Sequence, residues 1–152
     1  MASPVTITTR LGTPIFVETI PHEPTKRKDA YVAVFSRKFP RNILRVATTS
    51  AYNCIGMLFA CRRGFVEDTD IYPILKDDGF RPIRPDEQVQ AGDIVIWGAT
   101  GNAEHVGLVI AIEDQGIRVP LVLSKWGPGP EYIHLVHDTP CLYAFSYYTE
   151  RP

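Results

Sequence analysis

Seven side chains in this chain of 152 residues carry a thiol or an imidazole: cysteines at 54, 61 and 141, and histidines at 22, 105, 134 and 137. None of them stands in a CxxC or HExxH arrangement, so neither a metal site nor a redox pair is indicated. What remains is nucleophilic chemistry, in which a thiolate attacks and an imidazole moves the proton. Cys54, in "AYNCIGMLFACRRG" (51 to 64), falls in or near the first turn of a helix. The partial positive charge there favours thiolate over thiol, and helix-start amides can donate to an oxyanion. His105 opens the strand "HVGLVIAIE". Strand alternation puts His105, Gly107, Val109 and Ala111 on one side and Val106, Leu108, Ile110 and Ile112 on the other. The small residues beside His105 leave room for the Cys54 helix to pack there and bring thiol to imidazole.

Elements must exist to hold those groups. Thr48, Thr49 and Ser50 offer N-caps before the apolar run. Ile55, Leu58 and Phe59 form an i, i+3, i+4 stripe, with Arg62 and Arg63 in the last turn and Gly64 beyond it. Cys61 reads as core on the same side of the helix, and Cys141 as packing. A second helix is expected in "DTDIYPILKDDGF", capped by Asp68 or Asp70, with Ile71, Ile74 and Leu75 inward and Gly79 at its end. "VTITTRL" and "PIFVETI" read as strands, "PHEPTKRKD" as a polar loop, and "AYVAVFS" (30 to 36) as either strand or buried helix. The second half reads as a meander through "GDIVIW", "HVGLVIAIE", "IRVPLVLSKWG", "EYIHLVHD" and "LYAFSYYTE", with Pro120 favouring a strand end or edge.

Beside Cys54, Asn53 offers an amide and Tyr52 a hydroxyl for an oxyanion, although Asn at such a position also bonds its local backbone. Trp126, before "GPGP", suits either a substrate-groove wall or a plain core position. His22 and His137, next to prolines or acidic turn residues, read as loop residues.

The order of "YNCIG" opening a helix, then "GFRPI", "AGDIVIW" and "HVGLVI", resembles the NlpC-type papain-like cysteine peptidases and the related CHAP amidases. The match spans residues 48 to 126, about half of the chain. The resemblance implies a papain-like α+β domain covering 1 to 152, with an N-terminal helix bearing the cysteine packed on an antiparallel sheet. The core is 46 to 152, and residues 1 to 45 resemble nothing in the family. It also implies Cys54 as nucleophile and His105 as general base, with a third polar residue on the next strand orienting the histidine. Ser124 or Lys125 stands at that place. Lysine cannot accept from the ring, and His134, one strand later, is the substitute. Where the family commonly has "DCSG" this chain reads "NCIG", so Asn53 replaces an aspartate.

The totals are those of an ordinary globular domain: 45% hydrophobic, 22% charged, net charge −1. That balance carries no electrostatic footprint for nucleic acid, and no apolar run is long enough for a membrane span. The odd, widely spaced cysteines and the lack of a secretory signal lead us to expect free thiols in the cytoplasm, with export by a non-classical route as the alternative. The expected activity is hydrolysis of an amide, peptide or isopeptide bond through a thioester, without metal or organic cofactor, on a peptide or amide-containing substrate. Two rivals accompany it: a transferase or deamidase using the same acyl-enzyme, and a non-catalytic binding or regulatory domain on the same scaffold.

Overall fold

The β-branched alternation of the N-terminal segment produces two short strands, β1 (Pro4–Thr8) and β2 (Pro14–Glu18), paired antiparallel. The computed structural model describes residues 4–21 and 28–152, so His22 and residues 22 to 27 of the expected polar loop lie outside the described part. Ile15 and Val17 turn inward and Phe16 outward. Backbone bonds of 2.9 and 2.8 Å between Glu18 and Phe65 tie this hairpin to the rest.

The ambiguous stretch at 30 to 36 is helical, within α1 (Lys28–Lys38). It is not the buried helix that periodicity allowed. Val34 is exposed, and the helix rests on the body through Phe35 and Phe39, which meet Trp126 edge-on at 4.8 and 5.4 Å. There follow β3 (Ile43–Val46), α2 (Cys54–Phe59), a 3-10 turn over Asp68–Asp70, α3 (Ile71–Asp77) and β4 (Arg81–Pro82). The remaining strands are β5 (Ile94–Ala99), β6 (Asn102–Asp114), β7 (Arg118–Lys125), β8 (Glu131–Leu135) and β9 (Phe145–Thr149). In α3, Ile71, Ile74 and Leu75 are buried as their spacing requires, and Gly79 takes the left-handed conformation past its end.

The main sheet has the order β3-β8-β7-β6-β5-β9-β4, with every pairing antiparallel. Strands β5 to β8 are the expected meander, and β9 returns to the outer side of β5. The result is a small mixed α/β domain, a mostly antiparallel sheet with few helices. Its two faces carry separate cores. Ile94, Ile96 and Val106 pack with Ile55 of α2, Ile71, Ile74 and Leu75 of α3, and the β2 side chains. Val95, Trp97, Val122 and Val136 pack on the opposite face with Phe145 and Tyr147.

Three expectations are corrected here. A β-bulge at Ile110, where the register shifts between Val109 and Ala111, breaks strict alternation. Ala111 therefore leaves the His105 side. The helix bearing Cys54 packs on the Val106 face, not on the face of His105 and Gly107. The missing side chain of Gly107 makes room for the neighbouring strand instead, since a Cβ there would lie 2.5 Å from Val122 Cγ1. Finally, α2 stops at Phe59 rather than running through the arginines. Cys61 and Arg62 take positive φ angles of 50° and 63°, so Cys61 is exposed rather than core.

That sharp exit folds the chain back against α2. A Cβ on Gly56 would fall 1.8 Å from the carbonyl oxygen of Gly64, a backbone atom with nowhere to go. Gly56→Ala should therefore lower unfolding free energy by about 3 kcal/mol in urea denaturation. A change below ~0.5 kcal/mol would refute this close approach.

Candidate active site

Cys54 is the first residue of α2, and its position is set by the residue before it. Asn53, rather than the threonines or Ser50, is the N-cap. Its Oδ1 accepts from the Gly56 amide at 2.8 Å and from the Val66 amide at 3.2 Å, while Nδ2 donates to the Val66 carbonyl at 2.7 Å. Both ends of the Asn53 amide are thus engaged with backbone. The Tyr52 hydroxyl donates to Glu131 Oε1 at 2.6 Å, so neither oxyanion candidate presents a free donor at the thiol.

Glu131 itself has no exposed surface, and Arg62 meets it with two bonds, Nε to Oε1 at 2.6 Å and Nη2 to Oε2 at 2.9 Å. Burial pushes the Glu131 carboxyl up, but the hydrogen bonds from Arg62 and Tyr52 outweigh it and hold the group below the usual range. Lys125 is also buried. Its Nζ donates to the carbonyls of Thr49, Gly127 and Gly129 at 2.7, 2.8 and 2.5 Å and lies 5.2 Å from the Tyr52 ring centroid. Desolvation brings its pKa down to about 8. Sequence reasoning missed Glu131 and the Arg62 partnership. A lone glutamate at a strand start carries no signal for a partner 69 positions away.

His105 stands on the other face of β6. Its ring lies 5.0 Å from that of Trp97, and its Nε2 is buried without a hydrogen-bond partner. Cys54 and His105 are therefore not hydrogen-bonded to each other. They are nonetheless close along the chain of contacts, because the thiol sits beside the backbone amide of Val106, the next residue. Pairing of β6 with β7 ends at Gly107 and Ser124, so the strands part at His105 and Val106. A cavity of about 240 Å³ opens at that parting, lined by Glu104, His105, Trp126 and Cys141, with Phe35 above. Cys141, half-buried, is the thiol that shares a cavity with His105.

The candidates for a third residue are bonded to one another and not to His105. Ser124 Oγ and His134 Nε2 are 2.7 Å apart, and Trp126 Nε1 donates to Ser124 Oγ at 3.0 Å. His134 Nδ1 is 2.8 Å from the Leu135 carbonyl, which can only accept, so the proton is on Nδ1 and Nε2 accepts from the serine hydroxyl. His134 is thus a neutral, fully satisfied ring. Trp126 is buried beneath Phe35 and Tyr132 while forming one wall of the cavity. His137 is exposed, as its turn context suggested.

Electrostatically the pair is at rest. Desolvation pushes the Cys54 thiol up to about 11, with Asp68 adding to the shift and nearby amides opposing it. Desolvation, then His134, brings His105 down to about 3. At neutral pH the structure holds a thiol and a neutral imidazole. Among the described residues no group of three or more His, Cys, Asp or Glu could hold a metal ion, and no helix is long and apolar enough to cross a membrane. Comparison with protein-family models, curated proteins and solved structures finds no match to the chain.

The Glu131 cluster has a measurable pH signature. Its carboxyl is lowered on folding, so the stability it contributes is present above the unfolded value near ~4.3 and is lost as pH falls through the folded value. Glu131→Gln should cost about 3 kcal/mol at pH 7 and flatten the decline of Tm on acidification below about pH 4.5. An unchanged acid limb would show that the carboxylate is not held by Arg62 and Tyr52.

Proposed function

We propose that this chain is a thiol-dependent hydrolase of papain-like type, cleaving an amide, peptide or isopeptide bond with Cys54 as nucleophile and His105 as base. The observation that carries the reading is the His105 Nε2. A buried imidazole nitrogen with no partner calls for an explanation, and this one sits one residue from the amide that touches the Cys54 thiol. The order of the Cys54 helix, the "AGDIVIW" strand and the "HVG" strand supports the same assignment.

In this reading the imidazole reaches the thiol through the parting of β6 and β7, next to a second bulge of β6 at Glu104, where its register with β5 shifts. Cys54 gives its proton to His105 and attacks the carbonyl carbon. The C–N bond breaks as His105 returns the proton to the leaving amine, and water activated by His105 then releases the acid from the thioester. Substrate contact has to overcome the desolvation that keeps both groups neutral. The substrate is a peptide or another amide-bearing molecule.

A second reading is favoured by one observation: thiol and imidazole face opposite sides of β6 and are both uncharged. That is how a binding or regulatory domain on the same scaffold would look. Site-resolved alkylation by a peptidyl chloromethyl ketone, whose amides supply the substrate contact, between pH 6 and 9 separates the two. Cys61 is the exposed thiol, while Cys54 and Cys141 are half-buried, so access alone labels Cys61 first. The hydrolase reading expects Cys54 to be labelled at least as fast as Cys61 at pH 7, with a loss of about tenfold or more in His105→Ala. Labelling of Cys61 alone up to pH 9, or a His105-dependent reaction at Cys141, would overturn the assignment to Cys54.

A further inference from the structure

Away from Cys54, the Trp97 face of the sheet holds a second and larger cavity. Its volume is about 380 Å³, within the range of small-ligand sites. Ile112, Val119, Val136 and Phe145 wall it, and the bulge at Ile110 is what turns Ile112 onto this face. Four polar side chains line this apolar body: Gln88, Arg118, His137 and, from β9, Tyr147. Tyr147 is half-buried, and its hydroxyl, pushed up to about 12 by desolvation, makes no hydrogen bond among the described residues.

The charge around the cavity is one-sided. Among the described residues Arg118 forms no ion pair, although Asp114 stands opposite it across the β6–β7 turn. The carboxylates of that turn are engaged elsewhere: Asp114 Oδ1 accepts from the Gly116 amide at 3.0 Å, and Glu113 from the Gln115 side chain at 2.8 Å. Among the described residues no carboxylate lines the cavity. An always-charged guanidinium over an apolar pocket with a phenolic donor inside is complementary to an anionic head on a hydrophobic body.

We propose that this cavity binds a small amphiphilic carboxylate, its chain against Ile112, Val136 and Phe145 and its carboxylate shared by Arg118 and Tyr147. Nothing in this depends on Cys54 or His105.

Octanoate titrated into the full chain and followed by ¹⁵N–¹H NMR tests it. The expected result is saturable binding, with shifts confined to residues 88, 89, 112, 117 to 120, 136, 137 and 145 to 147. Arg118→Gln, a change at an exposed position, should weaken octanoate binding about tenfold or more, and Tyr147→Phe severalfold. Octanol, which lacks the charge, should be insensitive to Arg118→Gln. The proposal fails if shifts spread over the surface without saturating, or if Arg118→Gln binds octanoate as the wild type does. It also fails if the same resonances move with protein concentration alone, which would make the occupant a second copy of the chain.

Discussion

A carboxylate with no contact to water is the constraint that organises the α2 side of the molecule. Removing Glu131 from solvent costs several kcal/mol unless its oxygens are fully bonded, and the surrounding chain is arranged to bond them. Arg62 supplies a two-point grip only because the chain turns left-handed at Cys61 and Arg62. That conformation costs about 1–2 kcal/mol per residue and terminates α2 after six residues. Tyr52 supplies the third bond and so pulls the segment just before Cys54 onto β8. Lys125, beneath the same tyrosine ring, ties the Thr49 carbonyl to the turn at Gly127 and Gly129. The start of α2 is therefore held on β7 and β8 by a mixed-charge cluster, and Asn53 locks its other side to Val66.

Two effects compete for the protonation of Cys54, and their sizes decide the outcome. A helix start favours an anion by typically 0.3–1 kcal/mol, less than one pKa unit, and a helix of six residues offers little more. Desolvation acts in the opposite direction and is the larger effect, pushing the half-buried Cys54 thiol up to about 11. Burial wins, which is why a residue well placed for thiolate chemistry rests as a thiol. His105 obeys the same rule with the sign reversed, since burial disfavours its cation. Both groups are uncharged for one reason, the density of the two cores that flank β6.

Periodicity made much of the framework legible beforehand. The strands of the second half, the β1–β2 hairpin and the inward face of α3 each follow from local alternation or i, i+3, i+4 spacing, because each buries one side of itself. What sequence could not show depends on a single residue or on distant partners. One extra residue at Ile110 inverts the facing of everything beyond it, so Ala111 leaves the His105 side and Ile112 joins the cavity wall. The end of α2 was misjudged because Arg62 looks like a favourable last-turn cation, while its actual role is set by Glu131 on another strand. For α1, an apolar run of Val and Phe does not distinguish a buried helix from a mostly exposed one that meets Trp126 through Phe35, with Phe39 just past its end. For the site, the position of Cys54 at a helix start was legible. The face on which that helix would land was not.

The two faces of the sheet then divide the work. The α2 and α3 side is closed, filled by aliphatic contacts and the Glu131 cluster, whereas the Trp97 side carries both the His105 cavity and the Arg118 cavity. The proposed pair straddles that division, since Cys54 packs with the α2 side and His105 lines the cavity on the other. A substrate entering beside His105 and Trp126 stands at the end of the sheet where β6 and β7 are unpaired. The base would then meet the substrate before the thiol does. The buried Nε2 lacks a partner on that side, and a hydrogen bond to an incoming amide would give it one and draw the imidazole from Trp97 toward the parting.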